Sequence, residues 1–527
     1  MKKEKEQKED ERIFTGWDRQ SKRVKDFLGT HERMVNIVVV AMLFLSCLTV
    51  RINSLAHKEE LHSDEVFSLM LSTCNPYYNH AIADGPYSGQ EVKDRIVPVE
   101  EGDVGETMRD LGQLWLNNGD APHASLYYMA LRLALTGYGS YDVKEFVVRG
   151  GALNLLLFCL SFLLMYRLLR QIFGRRHLLV YVGLTIAFCN LLSVRNTMLL
   201  REYQMAETVV VMFTSIAVSV VLKLRSGEAL CVRRYLPAFA VSIGCLLSLG
   251  YFHVFYIVAL GVGVAASGLR YRQSRTIVLV LVSGLLGVGF AWLLYAGFFN
   301  FIIHPTVHQT MAFRNFPLAI STVFLRDLPH FLFVRYGYWV LAAVFVCTLF
   351  SKGFRRSAVR NPYFLWLPVI VLVCMPLMIY ASVLKHPRYF YSLLPILSLL
   401  VPQAISMMSD LWRRYFALLI ILFFPVLTVQ IRLKENYGWA KLTAELNQPS
   451  TFYKLNPNEF AQLVPSLSDT ISYRILNNKE LKESMSDGEQ LKVVSKLNQW
   501  SADEFVYVGR RIWNKNIYLF DIKNVAP

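Results

Sequence analysis

The chain has 527 residues, of which 54% are hydrophobic and 18% charged, and its mean hydropathy is +0.35. So apolar a balance excludes an ordinary soluble domain, and long apolar runs parted by polar turns exclude the short alternating strands of a membrane β-barrel. The formal net charge of +16 sits in short Lys and Arg clusters between those runs, with no basic face carrying interleaved aromatics. That pattern speaks for cytoplasmic loops held by the positive-inside rule and against nucleic-acid binding.

In chain order, residues 1–33 read as a cytoplasmic basic tail, polar and rich in Lys and Glu. The run Val35 to Ile52 is close to what a bilayer core requires of a helix. It is no cleavable signal peptide, because a long charged tail precedes it and no small-residue cleavage site follows. Residues 53–145 then form a large first extracytoplasmic loop. It carries Asp64 and Glu65, the turn-prone Asn75-Pro76-Tyr77-Tyr78, and Gly85-Pro86. Met108, Leu111, Leu114 and Trp115 are spaced for one face of a short helix in the interface. A loop this long without spans usually has a task.

The remaining spans follow at residues 146–166, 178–194, 205–222, a hairpin over 236–269 turning near His253, and 276–297. An aromatic second loop covers 298–336. Three more spans end at Lys352–Arg360, at Lys385–Tyr389 and at Arg413-Arg414, and the last covers 415–431. Every second junction is short and basic. The expectation is therefore an all-α polytopic membrane protein of about eleven transmembrane helices, its membrane domain at 34–435, its N-terminus cytoplasmic and its C-terminus extracytoplasmic. Residues 436–527 read as a small α/β extracytoplasmic domain, with short strands at Glu504–Val508 and Asn516–Phe520.

This topology puts Asp64, Glu65, His123, Arg195, Arg201, His253, Asp327, Lys385 and Arg388 on one face. Carboxylates can take a proton from a hydroxyl, and arginines supply paired, charge-assisted donors to a phosphate. Neighbours on a helix diverge by about 100°, so Asp64 and Glu65 have different tasks. No Gly-rich phosphate loop or dinucleotide fingerprint is present, which favours an amphiphilic substrate arriving laterally from the lipid. The eight cysteines show no spacing suited to zinc or to a disulfide framework and read as small apolar residues. No metal site is assigned; a divalent cation at Asp64 and Glu65 would need further oxygen ligands. Ionisable residues are almost absent from mid-span and no two-fold repeat of spans is seen, which disfavours the alternative, a lipid-linked saccharide transporter or flippase.

The Asp64-Glu65 pair after the first span resembles the carboxylate motif of GT-C superfamily membrane glycosyltransferases. The layout is most similar to protein O-mannosyltransferases (glycosyltransferase family 39) and lipid A aminoarabinose transferases. Gly119 to Tyr128 resembles that family's "gd-x-hPPLYY" segment, with Arg149 as the Arg that follows. Arg201-Glu202-Tyr203 is similar to its Arg-x-Tyr, and Lys385-His386-Pro387-Arg388-Tyr389-Phe390 with Pro395 to its "RY-x(n)-P". The resemblance spans residues 35–440. Pro122-His123-Ala124-Ser125 lacks the paired prolines, and no Arg follows Glu65 two or three residues on, so the sugar stays open.

What the resemblance implies is a glycosyltransferase of the inner (plasma) membrane, moving a hexosyl or pentosyl group from a polyprenyl-phosphate donor. The acceptor would be a hydroxyl of a glycolipid, polysaccharide or protein. It implies Asp64 as base, with Glu65 orienting the acceptor or holding a nearby cation. Arg201, Arg388 and Lys385 would hold the donor phosphate. His123, His253 and Asp327 are substrate-binding candidates. Each has a plainer alternative: a structural hydrogen bond for His123, a satisfied buried imidazole for His253, and pairing with Arg326 for Asp327.

Overall fold

The computed structural model describes residues 32–58, 60–73, 82–97, 103–118, 120, 125–139, 142–299, 343–348, 366–381, 387–429, 439–455, 463–476, 481, 485, 490–495, 505–514 and 517–524. Helix α1 (Glu32–Ala56) leads into a loop region holding α2 (Ser63–Ser72), β1 (Gly85–Ser88), α3 (Gly89–Ile96), α4 (Val104–Asn117) and α5 (Ser125–Ala134). Then come α6 (Val143–Phe173), α7 (His177–Phe188), α8 (Leu191–Met198), α9 (Tyr203–Ser226), α10 (Val232–Leu249), α11 (Val254–Arg270), α12 (Arg275–Leu294) and α13 (Trp366–Ala381). A 3₁₀ segment, Pro387–Leu393, enters α14 (Leu394–Leu397) and α15 (Leu400–Ser406), followed by α16 (Asp410–Val429) and α17 (Trp439–Leu446). Strands β2 (Ser450–Tyr453), β3 (Ser472–Leu476), β4 (Gln490–Ser495), β5 (Phe505–Asn514) and β6 (Ile517–Asn524) close the chain.

Among the described residues, seven helices are long and apolar enough to cross a membrane, or eight if the bent pair α7 and α8 counts as one. The protein is a polytopic, mostly helical membrane protein. Of the expected eighth span only residues 343–348 are described, and they are helical; most of the 298–336 loop lies outside the described residues. α9 is central, buried almost all round against α6, α10 and the Arg388–Ser406 segment. α1 and α12 instead turn Ile37, Met42, Leu45, Leu281, Leu285 and Leu293 outward, as lipid-facing helices do. α6 and α9 stop at Gly174 and Gly227, whose φ angles of +60° and +73° suit glycine.

The span expected over 178–194 is not one straight helix. It bends by 56° between α7 and α8, and the reason is Asn190. Its Oδ1 accepts the Ser193 N–H at 2.8 Å, capping the start of α8. Its Nδ2 donates to the Ile186 and Ala187 carbonyls at 2.9 and 3.0 Å, satisfying the end of α7. Arg51 of α1 adds a third donor, Nη2 to the Phe188 carbonyl at 3.3 Å. A break within a bilayer is tolerated where protein groups meet the freed backbone in this way.

The terminal strands expected near Glu504 and Asn516 are β5 and β6, paired antiparallel. The six-stranded sheet runs β1-β3-β2-β4-β6-β5. β2 is parallel to β3 and β4, whereas β1 is antiparallel to β3. The edge strand β1 thus comes from the first loop, nearly four hundred residues away along the chain. Lys93 reinforces the join with a 2.6 Å ion pair to Asp469. Gly89 donates its N–H to the Ile471 carbonyl, and a Cβ there would sit 2.0 Å from the Ser468 oxygen, so only glycine fits. The first loop and the C-terminal segment therefore share one side of the membrane. On the other side, Glu32 and Asn36 at the start of α1 meet His177. The helix expected around Met108, Leu111, Leu114 and Trp115 is α4, but these four do not share one outward face: Leu114 is fully buried, whereas Val104, Met108, Trp115 and Leu116 are exposed, and the Trp115 indole donates to the Leu293 carbonyl at 2.8 Å.

Candidate functional site

The site begins at the first turn of α2. His62 is the N-cap: its Nδ1 accepts the Asp64 N–H at 3.1 Å, while Glu65 Oε2 accepts the His62 N–H at 2.7 Å. This reciprocal box fixes where each carboxylate points. Glu65 turns inward and is fully buried. Its Oε1 takes the Leu200 N–H at 2.8 Å and the Lys58 ammonium at 2.9 Å. It thereby holds a cation, Lys58, and ties α2 to the turn between α8 and α9. Asp64, one position earlier, points to the open side with 17% of its side chain exposed. Its Oδ2 accepts from Arg388 Nη1 and stands 3.4 Å from His62 Nδ1.

Arg201 lies in the Leu199–Glu202 turn, buried. Its Nη1 donates to the Tyr128 hydroxyl at 2.6 Å and approaches the Asp64 carbonyl and Ser68 Oγ at 3.5 Å each. Its Nη2 lies 3.5 Å from Asp120 Oδ2, and its Nε is 3.1 Å from Glu202 Oε2. The Tyr128 hydroxyl in turn donates to Asp120. Two arginines, three carboxylates and a phenol therefore share one cluster.

Burial by itself would raise the Asp64 carboxyl, but the charges of Arg388 and Arg201, with the Arg388 hydrogen bond, hold it below the ordinary value. Burial pushes the Tyr128 phenol well above its usual value, so it stays a donor to Asp120. Asp64 is therefore an ionised proton acceptor at neutral pH, with cations beside it.

A buried polar layer supports the cluster from below. Asn154 donates to the Thr197 and Leu199 carbonyls at 3.0 and 2.9 Å and accepts from Tyr127 at 3.2 Å. Arg51, wholly buried, donates to Thr197 Oγ1 at 3.0 Å and Ser193 Oγ at 2.7 Å, with the Phe158 ring 3.9 Å away. Glu207 accepts from Ser161, Gln204 and Asn196 at 3.0–3.1 Å. The sparse intramembrane ions thus gather at the end of the spans nearest Asp64, each with hydrogen-bond partners, as buried charge requires.

Of the residues singled out in the sequence, Asp64, Glu65, Arg201 and Arg388 come together. His253 is close by but fully engaged: Nδ1 meets the Gly250 carbonyl at 3.0 Å, so Nδ1 carries the proton and Nε2 accepts from Ser392 Oγ at 3.1 Å. It ties the α10–α11 turn to the segment bearing Arg388. Arg149 binds Glu145 at 2.7 Å and the Thr136 carbonyl, and so staples α5 to α6. His123, Asp327 and Lys385 lie outside the described residues. Asp120, Tyr128 and Lys58 were missed. The first two stand inside the quoted Gly119–Tyr128 segment, overshadowed by His123. Lys58 had a signal of its own, since a cation just past the outward end of the first span runs against the positive-inside rule and asks for a partner. Cys47 and Cys189, read as small apolar residues, have Sγ atoms 3.3 Å apart. Among the described residues no group of three His, Cys, Asp or Glu side chains could hold a metal.

An α/β sheet over a polytopic helical bundle, with a carboxylate-bearing helix start between them, is a fold this chain shares with solved membrane proteins. The solved structure of ArnT from Cupriavidus metallidurans bound to undecaprenyl phosphate is similar, with a TM-score of 0.51 and 12% identity, over 92% of this chain and 98% of that one. ArnT from the same organism in the apo state gives a TM-score of 0.47 at 12% identity, over 86% and 96%. No protein-family model matches the chain, and no curated protein matches it significantly.

Proposed function

We propose that this protein is an integral-membrane glycosyltransferase that moves a sugar from a polyprenyl-phosphate-linked donor to an acceptor hydroxyl. The observation that carries this is the pairing of an ionised carboxylate, Asp64, with Arg388 and Arg201 in one cluster at the membrane rim. Support comes from the shared fold of ArnT, whose solved form holds undecaprenyl phosphate. In the reaction the acceptor oxygen attacks the anomeric carbon while Asp64 takes its proton. The carbon–oxygen bond to phosphorus breaks, and polyprenyl phosphate leaves with one more negative charge than it had as a diester. Arg388, aided by Lys385 and the field of Arg201, gains contact energy as that charge develops, which is where binding accelerates a reaction. Glu65 keeps α2 in place so that Asp64 faces the acceptor, and His253 steadies the Arg388 segment.

The cluster belongs to the extracytoplasmic face of an inner membrane, with the N-terminus inside and the sheet outside; the basic loops on the opposite face support this. Residues 34–435 form the membrane domain, and 436–527 together with β1 form the outer cap. The acceptor is a glycolipid, polysaccharide or protein. The test is to compare glycolipid and glycan profiles of cells carrying the wild-type gene, a deletion and Asp64→Asn. Loss of one glycosylated product in both altered strains, with the Asp64→Asn protein still folded in the membrane, is expected. Transfer at the wild-type rate by Asp64→Asn would overturn the assignment, because a general base contributes about 10²–10⁴-fold.

A further inference from the structure

The two arginines of the cluster are not equivalent. Arg201 is buried and directed at once to Tyr128, Asp120, Glu202 and the Asp64 carbonyl. Arg388 keeps 15% of its side chain exposed and has its carboxylate contact with Asp64, itself 17% exposed. Asp64 is also the residue that must be free to take a proton. We infer that Arg388 and Asp64 form an exchangeable latch: an arriving prenyl phosphate takes Arg388 from Asp64, and so unmasks the base only when the donor is in place.

This rests on the glycosyltransferase assignment and deepens it. The exchange is chemically even-handed, since a phosphate oxygen replaces a carboxylate oxygen on the same guanidinium. Its consequence is ordered binding. Without donor, Asp64 is held by a cation and has depressed basicity. With donor, the guanidinium moves its charge toward phosphorus and Asp64 becomes a stronger base. After transfer, protonated Asp64 cannot compete for Arg388, so the leaving polyprenyl phosphate keeps that cation until Asp64 loses its proton to water. Arg201 is then a positioning residue, holding the Asp64 backbone while Arg388 exchanges. Arg201 cannot take the exchanging part without deserting Tyr128 and Asp120.

The test is binding of undecaprenyl phosphate to the full chain in nanodiscs, with Asp64→Asn, Asp94→Asn and Arg388→Ala variants, together with carbodiimide labelling of Asp64 in the wild-type protein; Asp94 is an exposed first-loop carboxylate outside the cluster. Asp64→Asn is expected to lower Kd about three- to tenfold by removing the competitor, Asp94→Asn to leave it within twofold, and Arg388→Ala to raise it at least tenfold. Labelling of wild-type Asp64, which needs no variant to fold, is expected to rise when the lipid phosphate binds. Equal tightening by Asp94→Asn would mean general charge repulsion, and protection of Asp64 by the lipid would mean addition without exchange. Either result overturns the latch while leaving the phosphate site standing. Failure of every form, wild type included, to bind undecaprenyl phosphate would overturn the latch and the donor assignment together.

Discussion

Glu65→Gln isolates the contribution of the buried anchor from that of the chemistry beside it. Lys58 and Glu65 are 2.9 Å apart with side chains 2% and 0% exposed. Glu65 also accepts the Leu200 and His62 N–H groups. The amide removes the negative charge and turns two acceptor lone pairs into donors, leaving Lys58 charged and buried. Breaking a buried pair from one side costs about 3–5 kcal/mol. The double variant Lys58→Met/Glu65→Gln removes the stranded cation and leaves one poorly served backbone N–H and the Met198 carbonyl that Lys58 had served, about 1 kcal/mol each. Equilibrium unfolding of the four forms of this cycle in one detergent gives the coupling directly. Transfer measured well below the melting range separates anchor from base, since the double variant is expected to recover much of the activity that Glu65→Gln loses. A single variant within about 0.5 kcal/mol of wild type, the range of ordinary surface changes, would refute the reasoning.

The Asp64–Arg388 contact makes stability depend on pH. The folded carboxyl lies below the ordinary aspartate value of 3.8, so its stabilisation is complete above that value and is lost as pH falls through the lower folded one. The gap in melting temperature between wild type and Asp64→Asn is thus expected to be constant from neutral pH to about 5 and to shrink below 3.8; a gap that widens with acid would contradict the ion pair. Gly89→Ala places a methyl against the Ser468 carbonyl and is expected to cost about 1–3 kcal/mol, visible as faster hydrogen exchange across Ser472–Leu476. With the other cysteines replaced and a protease site inserted between α3 and α4, oxidation by copper-phenanthroline is expected to link Cys47 to Cys189. The two fragments would then part only on reduction; separation without reductant would show the thiols apart.

Much of the architecture was legible because membranes impose simple rules on sequence. Apolar length marks a span, and Lys and Arg mark the cytoplasmic side, so the parity that brings the first loop and the C-terminal strands to one face could be read from the chain alone. The bend at Asn190 could not, since an asparagine in an apolar run reveals nothing of which freed carbonyls it will meet. Asp64, Arg201 and Arg388 were found by residue type and order. Their division of labour was not, because it depends on which oxygen faces which nitrogen.

By itself the sequence determined a helical membrane bundle, the face on which its ions collect, and that acids and arginines are among them. Only the tertiary structure decided that Glu65 is spent on Lys58 while Asp64 stays open, that Asp120 and Tyr128 hold Arg201, and that β1 belongs to the C-terminal sheet. The physical reason is range. Hydropathy and charge act on each segment against a common solvent, whereas hydrogen bonds and ion pairs act over about 3 Å between groups the chain keeps far apart until it folds.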